Sequence, residues 1–506
     1  MKKKIIDYYK SNPLNVILIV ALIVRLVSVI FAKGYGMHDD HFLIVETSRS
    51  WADGMDFQGW LPSTQGVSAI PQGHSFTYPL IMFCFFKILS FFGISDLNSQ
   101  MYFIRFIHAL FSLLTIFFAY KITLKASKKT FLANIVGWSI ALLWCMPWLS
   151  VRNLVEITCI PFILWSTYLY IKDETMPIKN VIFSGILMGV AFAFRFQLIF
   201  FIGGFGLAML FYKQWKNAVV WTIFLLLAFS ISQISDVFLW HRPFAEMEEY
   251  IRYNFTHSQE YITGGFFEYF GVILGVLLPP ISVLLLFGFF YGYKKLFLFL
   301  PAFCFLFFHS IFPNKQERFI FPIVPSIIIL GVIGLNSLLE KYPKQLKLRK
   351  IIKVCFIISF VLNVVLLIPV TCHYSKRARV ESMVYLHQYK GNVKSFIVDG
   401  IPEGSCSVMP RTYLGEDSKQ YNIISDTTNI MTQDYKYQPS FVLFVSEQNL
   451  EQRKQSIQRR YPHLEYETTV EPSGLDKLMQ KINHHNRNFN IIIYRNDDVV
   501  KKNKSN

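Results

Sequence analysis

The chain has 506 residues, of which 53% are hydrophobic and only 16% charged, with 50 Phe. Soluble domains carry closer to ~25% charged residues, so composition excludes an ordinary soluble protein. Apolar runs of about 15–22 residues recur up to residue 371 and predict a polytopic helical membrane protein, in which the net charge of +17 marks cytoplasmic loops and not a nucleic-acid surface.

Lys2, Lys3, Lys4 and Lys10 place the N-terminus in the cytoplasm. The first apolar run, 14–32, has span length and no small-residue cleavage site, so it reads as a span and not a removed signal. Arg25 is its only charge. This span exports the polar segment 33–76, which holds Met37-His38-Asp39-Asp40-His41-Phe42. Two adjacent carboxylates at the end of a span are costly unless they face water or a polar cavity. Flanked by histidines, they suit proton uptake, a sugar hydroxyl or a metal; the plainer alternative is a helix cap.

Residues 77–93 are apolar again. If they crossed, Lys121, Lys125, Lys128 and Lys129 would lie outside, so they read as an interfacial or re-entrant segment. Further spans are expected at 101–122, 131–149, 157–171, 180–194, 198–212, 217–235, 269–292, 296–311, 319–338 and 354–371, about eleven in all with the first. The lysine-rich loops then fall inside and the tail outside. In the tail, 395–398, 441–445 and 490–494 read as buried strands, and 451–461 and 474–483 as helices. The expected division is a transmembrane domain, 1–371, and a small non-cytoplasmic α/β domain, 372–506. Cys372 and Cys406 offer a disulfide if that side is oxidising.

This topology collects Asp39, Asp40, His74, Arg152, Glu156, Arg195, Asp236, Asn254, Lys315, Glu317 and Arg318 on the outer side. Singly, each also reads as an ordinary loop polar. As a group they read differently, because Arg25, Arg195 and Asp236 lie inside or at the rim of apolar runs, where a charge needs a partner. Arginine is the better bidentate phosphate ligand. Acids beside arginines on one face suggest an enzyme that handles a lipid-linked phosphate. A transporter or flippase of a lipid-linked saccharide is the alternative; it calls for broken helices and a repeat between halves, and no repeat is visible.

Several short stretches recur in a family-like order: Asp39-Asp40-His41-Phe42; His74-Ser75-Phe76-Thr77-Tyr78-Pro79-Leu80; Arg152-Asn153 with Glu156; Arg195; Asp236, Asn254 and Gly264 or Gly265; and Asn314-Lys315-Gln316-Glu317-Arg318-Phe319 with Pro322. Together they resemble the polyprenol-phosphate-mannose-dependent mannosyltransferases of the membrane glycosyltransferase C superfamily (glycosyltransferase family 22), the group that acts on GPI anchors and lipid-linked N-glycans. The last stretch is the most specific, with Asn314 in place of the family's His and Gln316 in place of its Glu. Asp40 stands for Glu in the first motif, and His74 for Arg in the second.

The resemblance implies sugar transfer with inversion on the non-cytoplasmic face, from a polyprenyl-phosphate donor to a glycolipid, lipid-linked glycan or protein. One carboxylate would take the proton of the acceptor hydroxyl as it attacks the anomeric carbon. The polyprenyl phosphate leaves as a stable anion and needs cations, not an acid. Asp39 is the expected base; Asp40 positions the acceptor or shares the role, since adjacent acids titrate as a pair. Arg195, Lys315 and Arg318 are expected on the donor phosphate. His74, Arg152, Glu156, Asp236, Asn254 and Glu317 are expected on the substrates. No cofactor is expected, and no metal is indicated, because His38 and His41 lack a third ligand. Abundant Phe, Ile, Lys and Asn suggest an AT-rich genome and a bacterial inner membrane with a periplasmic tail; an endoplasmic reticulum membrane is the eukaryotic alternative.

Overall fold

The structure, a computed structural model, describes residues 2–55, 57, 71–257, 263–400, 408–423, 438–483 and 487–501. Cys406 lies outside the described residues. Two compact units divide the chain. A helical unit holds Met1–Ile30, Ala69–Leu80 and Ile104–Cys372; a mixed unit holds Phe31–Ser68, Ile81–Phe103 and His373–Asn506.

The helical unit is built from apolar helices, as backbone in hydrocarbon must bond to itself. Among the described residues, five helices are long and apolar enough to cross a membrane: Pro13–Phe31, Leu97–Ser127, Trp215–Trp240, Glu317–Lys341 and Leu346–Thr371. Shorter apolar helices fill most of the other expected runs, among them Thr130–Leu142, Ile178–Phe194 and Leu296–Ile311. Small residues let these helices approach closely. A methyl at Gly189 would collide with the Leu225 carbonyl, and one at Gly334 with the Gly288 carbonyl.

The run 269–292 does not form the single straight span expected. It is a pair, Glu268–Val276 and Ile281–Tyr291, bent by 118°. Pro279 and Pro280 supply no amide hydrogen to carry the helix across the gap. The run 131–149 also stops early, at Leu142, and restarts as the short helix Met146–Leu149 with Pro147 at its start. Residues 77–93 form one helix, Thr77–Phe91, whose 15 residues fall short of the ~20 a span needs.

Arg25 is 1% exposed within this apolar setting. Its Nε donates to Ser112 Oγ at 2.8 Å, and its Nη1 to the carbonyls of Ala141 at 3.1 Å and Ala21 at 3.3 Å. A buried guanidinium is tolerable when its donors are met this way.

The mixed unit contains a five-stranded sheet in the order β2-β1-β3-β5-β4. The strands are β1 (Ser395–Asp399), β2 (Lys419–Ile423), β3 (Phe441–Val445), β4 (Leu464–Val470) and β5 (Ile491–Asn496). β1 runs parallel to both β2 and β3, with Ile397 opposite Tyr421 and Val442. β5 runs antiparallel to β3 and β4, with Ile493 opposite Leu443. Ile397, Val442, Phe444, Ile457, Ile492 and Tyr494 form much of its core. β2 and β4, absent from the expectation, are the two edges. An edge strand half-faces water, so Lys419-Gln420-Tyr421-Asn422 and Leu464-Glu465-Tyr466-Glu467 show no apolar run.

Candidate functional site

In the mixed unit, the chain leaving the first span turns at Gly34 and enters a π-helical segment, Asp40–Glu46, that continues as Thr47–Asp53. The two acids stand differently. Asp40 is 3% exposed and its carboxylate turns back on the preceding loop, accepting from the amides of Gly36 at 2.7 Å and Met37 at 3.2 Å. Asp39 is half-buried, at the start of that segment. The helix-cap reading fails in its simple form: Asp39 accepts no capping hydrogen bond, and Asp40 binds amides upstream of the helix.

His41 is held within the same unit by residues of the tail. Its ring stacks on Tyr35 at 5.0 Å and on Tyr413 at 5.5 Å, and its Nε2 lies 3.2 Å from Thr412 Oγ1 and 3.7 Å from Glu46 Oε1. Burial pushes the Tyr35 phenol up to about 12 against the pull of the Arg379 charge. His38 stacks on Phe42 at 4.4 Å. Among the described residues, no three His, Cys, Asp or Glu side chains form a group able to hold a metal ion. Arg49 is anchored beside this loop, with Nη1 on Gln100 Oε1 at 2.6 Å and Nη2 on Asp53 at 2.5 Å.

The helical unit gathers most of the other site residues expected from sequence. Glu156, 1% exposed, receives Arg195 Nη1 on its Oε1 at 2.6 Å, and Arg318 Nε lies 3.5 Å from the same oxygen. Arg195 also binds Gln197, and Arg318 donates to Gln316 Oε1 at 2.8 Å. Both guanidinium groups lie over the Phe319 ring, at 4.8 and 5.5 Å. Two permanent cations thus meet at one carboxylate oxygen. Arg195 Nε and Glu156 Oε2 are buried without a hydrogen-bond partner. The fold delivers these groups by breaking helices. Arg195, in extended conformation, ends Ile178–Phe194; Glu156 opens the short helix Val155–Thr158; Arg318 sits in the 3₁₀ turn Glu317–Ile323.

The His74–Leu80 stretch packs against the same place. Ser75 Oγ bonds the Ala193 carbonyl and Thr77 Oγ1, and Tyr78 meets Phe194 at 5.4 Å and His108 Nε2 at 2.5 Å. Arg152 is buried, its guanidinium 4.4 Å from the Trp148 ring centre, and Asn153 is buried beside it in sequence.

A second acidic pair organises the loop before Ala245–Thr256. Asp236 Oδ2 accepts the Glu246 amide at 3.0 Å. Glu246, fully buried, accepts from the amides of Gln72 at 3.2 Å and His74 at 3.0 Å and from Trp240 Nε1 at 2.7 Å. Burial holds its carboxyl at about 7, above the usual carboxylate range, against the lowering effect of those amides. Gly73, with φ +72°, lies against the backbone of Tyr250, where a side chain would crowd it. Tyr250 meets the Phe196 ring edge-on at 5.6 Å, which joins the Glu246 clamp to the segment beside Arg195.

Four expected residues stand apart from this pattern. Lys315, expected on the donor phosphate, donates to the carbonyls of His309, Ser310 and Phe312 at 2.6, 2.8 and 2.5 Å. Its three donors cap the end of Leu296–Ile311, where the orphan carbonyls attract a cation. Burial pulls its ammonium below the ordinary lysine value. Glu317 is exposed. Asn254 donates within its own helix, to the Tyr250 carbonyl at 2.7 Å. His74 contributes its backbone amide to Glu246, and its side chain is exposed. Glu246, Tyr250, Tyr35, Thr412 and Tyr413 were not singled out from sequence. An acid or tyrosine in a loop has no periodicity to betray it, and Thr412 and Tyr413 lie hundreds of residues from His41.

The fold is shared with crystal structures of membrane glycosyltransferases. ArnT from Cupriavidus metallidurans bound to undecaprenyl phosphate aligns with TM-score 0.60 and 12% identity, over 95% of this chain and 97% of that one. Its apo form gives 0.61 and 12%, over 97% and 99%. The Archaeoglobus fulgidus oligosaccharyltransferase in complex with Zn and sulfate gives 0.51 and 11%, over 87% of this chain and 69% of that one. No curated protein matches by sequence. The chain therefore shares the fold of these structures, and its apolar helices make it an integral membrane protein. Residues 16–399 match the Alg9-like mannosyltransferase family, and the chain belongs to that family.

Proposed function

We propose that the enzyme moves a sugar, mannose, from a polyprenyl-phosphate donor to a glycolipid, lipid-linked glycan or protein acceptor on the non-cytoplasmic face, with inversion. The observation that carries this reading is the buried cluster in which Arg195 and Arg318 share Glu156. Guanidinium groups held at one place suit the oxygens of a phosphate, whose negative charge they would stabilise as the sugar leaves. The ArnT structure named for undecaprenyl phosphate supports a lipid-phosphate ligand for this fold.

Asp39 is the proposed base. Asp40 has its carboxylate engaged with two amides and is the loop's anchor, with acceptor positioning as its part in the reaction. Arg152 and Glu156 complete the donor side. Asp236, through Glu246, holds the His74 loop, and Asn254 and Glu317 remain candidate substrate contacts. Lys315 serves the site as a helix cap that positions Arg318, three residues on. No cofactor enters this reading.

The proposed topology has about eleven spans, with 77–91 in the interface and the basic loops in the cytoplasm. Residues 1–371 form the transmembrane catalytic domain and 372–506 a non-cytoplasmic domain, placed in the periplasm of a bacterial cell. The broken pair at 268–291 is a feature a flippase would use. Membership of a mannosyltransferase family weighs for the enzyme.

The test is transfer by the purified protein from labelled polyprenyl-phosphate-mannose, with a glycolipid extract as acceptor, beside Asp39→Asn. Labelled product that vanishes in a folded, donor-binding variant supports the reading. No transfer from mannose, glucose or arabinose donors, together with movement of lipid-linked sugar across vesicles, would overturn it for the flippase.

A further inference from the structure

The tail carries an apolar surface that catalysis does not explain. In the helix Gly474–Ile482, Leu475, Leu478, Met479 and Ile482 recur at the spacing of a single helical face. Leu478, Met479 and Ile482 are 52%, 40% and 69% exposed. Among the described residues of the tail, the other large apolar side chains exposed to this degree are Tyr466 and Val499. The stripe is therefore a local concentration and not the general texture of the surface.

The helix is held from another side. Asp476, 3% exposed, accepts from Ser473 Oγ at 3.1 Å and Asn488 Nδ2 at 2.9 Å, and lies 3.5 Å from His373 Nε2. Ser473 in turn caps the helix through the Asp476 amide at 3.2 Å and lies 3.3 Å from His373 Nδ1. Positions 476 and 480 face the domain, which leaves the 475–478–479–482 face uncovered by it. Lys477 and Lys481 border the stripe; Lys477 pairs with the exposed Glu471 at 2.6 Å.

Covalent reach sets where this surface can be. His373 comes two residues after Thr371, the end of Leu346–Thr371. That helix has mean hydropathy 2.8 over its most apolar stretch, of which only 6% is covered by protein. Two residues extend at most ~7 Å. The start of the amphipathic helix is thus tied to a residue that cannot leave the mouth of a lipid-facing span.

We propose that Gly474–Ile482 is an interfacial anchor whose apolar face lies in the headgroup–acyl boundary of the outer leaflet, with Lys481 and Lys477 toward anionic headgroups. A bilayer fits the observations better than a second copy of the chain, because a tether to the span end brings lipid to the stripe in every molecule. The anchor would hold the tail, with its clasp on the Asp40–His41 loop, at the membrane surface.

The test uses the full chain, one copy per nanodisc, with native cysteines replaced and a fluorophore on Met479→Cys or, as reference, on the exposed Glu451→Cys. Lipids bearing a nitroxide at the fifth acyl carbon are expected to quench the probe at 479 at least threefold more than at 451. Adding Leu478→Ser with Ile482→Ser, both at exposed positions, is expected to bring that quenching to the reference level with the melting of the tail unchanged. Equal quenching at the two probes would overturn the proposal. So would quenching that survives the double substitution, or shielding of 479 that requires two copies in one disc, which would mark the stripe as a self-association face.

Discussion

The Arg195 cluster of the helical unit and the Asp39–Asp40 loop of the mixed unit solve the burial of charge in opposite ways. In the helical unit, charge is met by charge: Glu156 answers Arg195 and Arg318. In the mixed unit, Asp40 is met by backbone amides, and its neighbour His41 by aromatic rings and a threonine hydroxyl. An ion cluster at broken helix ends can take a phosphate without rearrangement, since its cations are held in place by a shared acid. A loop fixed through amides and stacking keeps one acid locked and a second, Asp39, at the rim, where a proton can be taken. The contrast suggests that stabilisation of the leaving group is built into the membrane helices, while the base depends on support from the tail.

The sharpest way to break that contrast is to remove each acid in turn. Asp39→Asn is expected to lower sugar transfer by roughly 10²–10⁴, the usual share of a general base, with donor binding and melting temperature unchanged. Asp40→Ala is expected to lose stability instead, by about 1–3 kcal/mol, because two buried amides lose their acceptor. Transfer assays and thermal melts of both proteins in detergent decide it; a melt shift in Asp39→Asn with none in Asp40→Ala would reverse the assignment.

On the basic side, Arg195→Ala strands Glu156 with its remaining contact to Arg318 3.5 Å away. A loss of about 3 kcal/mol is expected, in the range for a broken buried pair, and most of it should return in Arg195→Ala with Glu156→Gln. The double variant should melt like the parent yet bind the lipid phosphate poorly. Recovery of both stability and binding would show that the cluster is structural only.

Charge inside apolar runs was the legible part. Arg25, Arg195 and Asp236 each stand out because a membrane segment rarely tolerates an unmet charge, and each has partners in the structure. The central strands β1 and β3 were legible for a related reason: both faces are buried, so their sequences are unbroken apolar runs. What failed to register was anything set by a partner far along the chain. β2 and β4 are polar because they are edges. The break at Pro279–Pro280 hides in a run whose hydropathy never falls. Lys315 matches a motif, yet its neighbours turn its ammonium onto helix-end carbonyls, which a motif does not reveal.

A pH-dependent effect of up to similar size is expected from Glu246, and its sign is informative. Its folded carboxyl titrates at about 7 against an ordinary 4.5, so the folded state holds the proton more tightly. The stability it contributes is complete below pH 4.5 and is lost as pH rises to 7, by up to about 3 kcal/mol. Glu246→Gln should melt with little dependence on pH in that window, while the parent weakens as pH rises. An unchanged pH slope in the variant would assign the effect to another group.

The smallest expected effect probes the clasp of the tail on the acid loop. Tyr413 stacks nearly parallel on His41, at 11° between planes, and Thr412 reaches the same ring. Such a stack contributes roughly 0.5–1.5 kcal/mol beyond burial, so Tyr413→Ala should cost about 1–2 kcal/mol or a little more with the lost contact area. The kinetic signature separates support from mere stability. If the tail holds the loop that presents Asp39, Tyr413→Ala should lower kcat severalfold at a temperature where the protein is fully folded, with KM for the lipid donor unchanged, because Arg195 and Arg318 are untouched. A rise in KM with kcat unchanged would place Tyr413 on the donor side and dissolve the division of labour between the two regions.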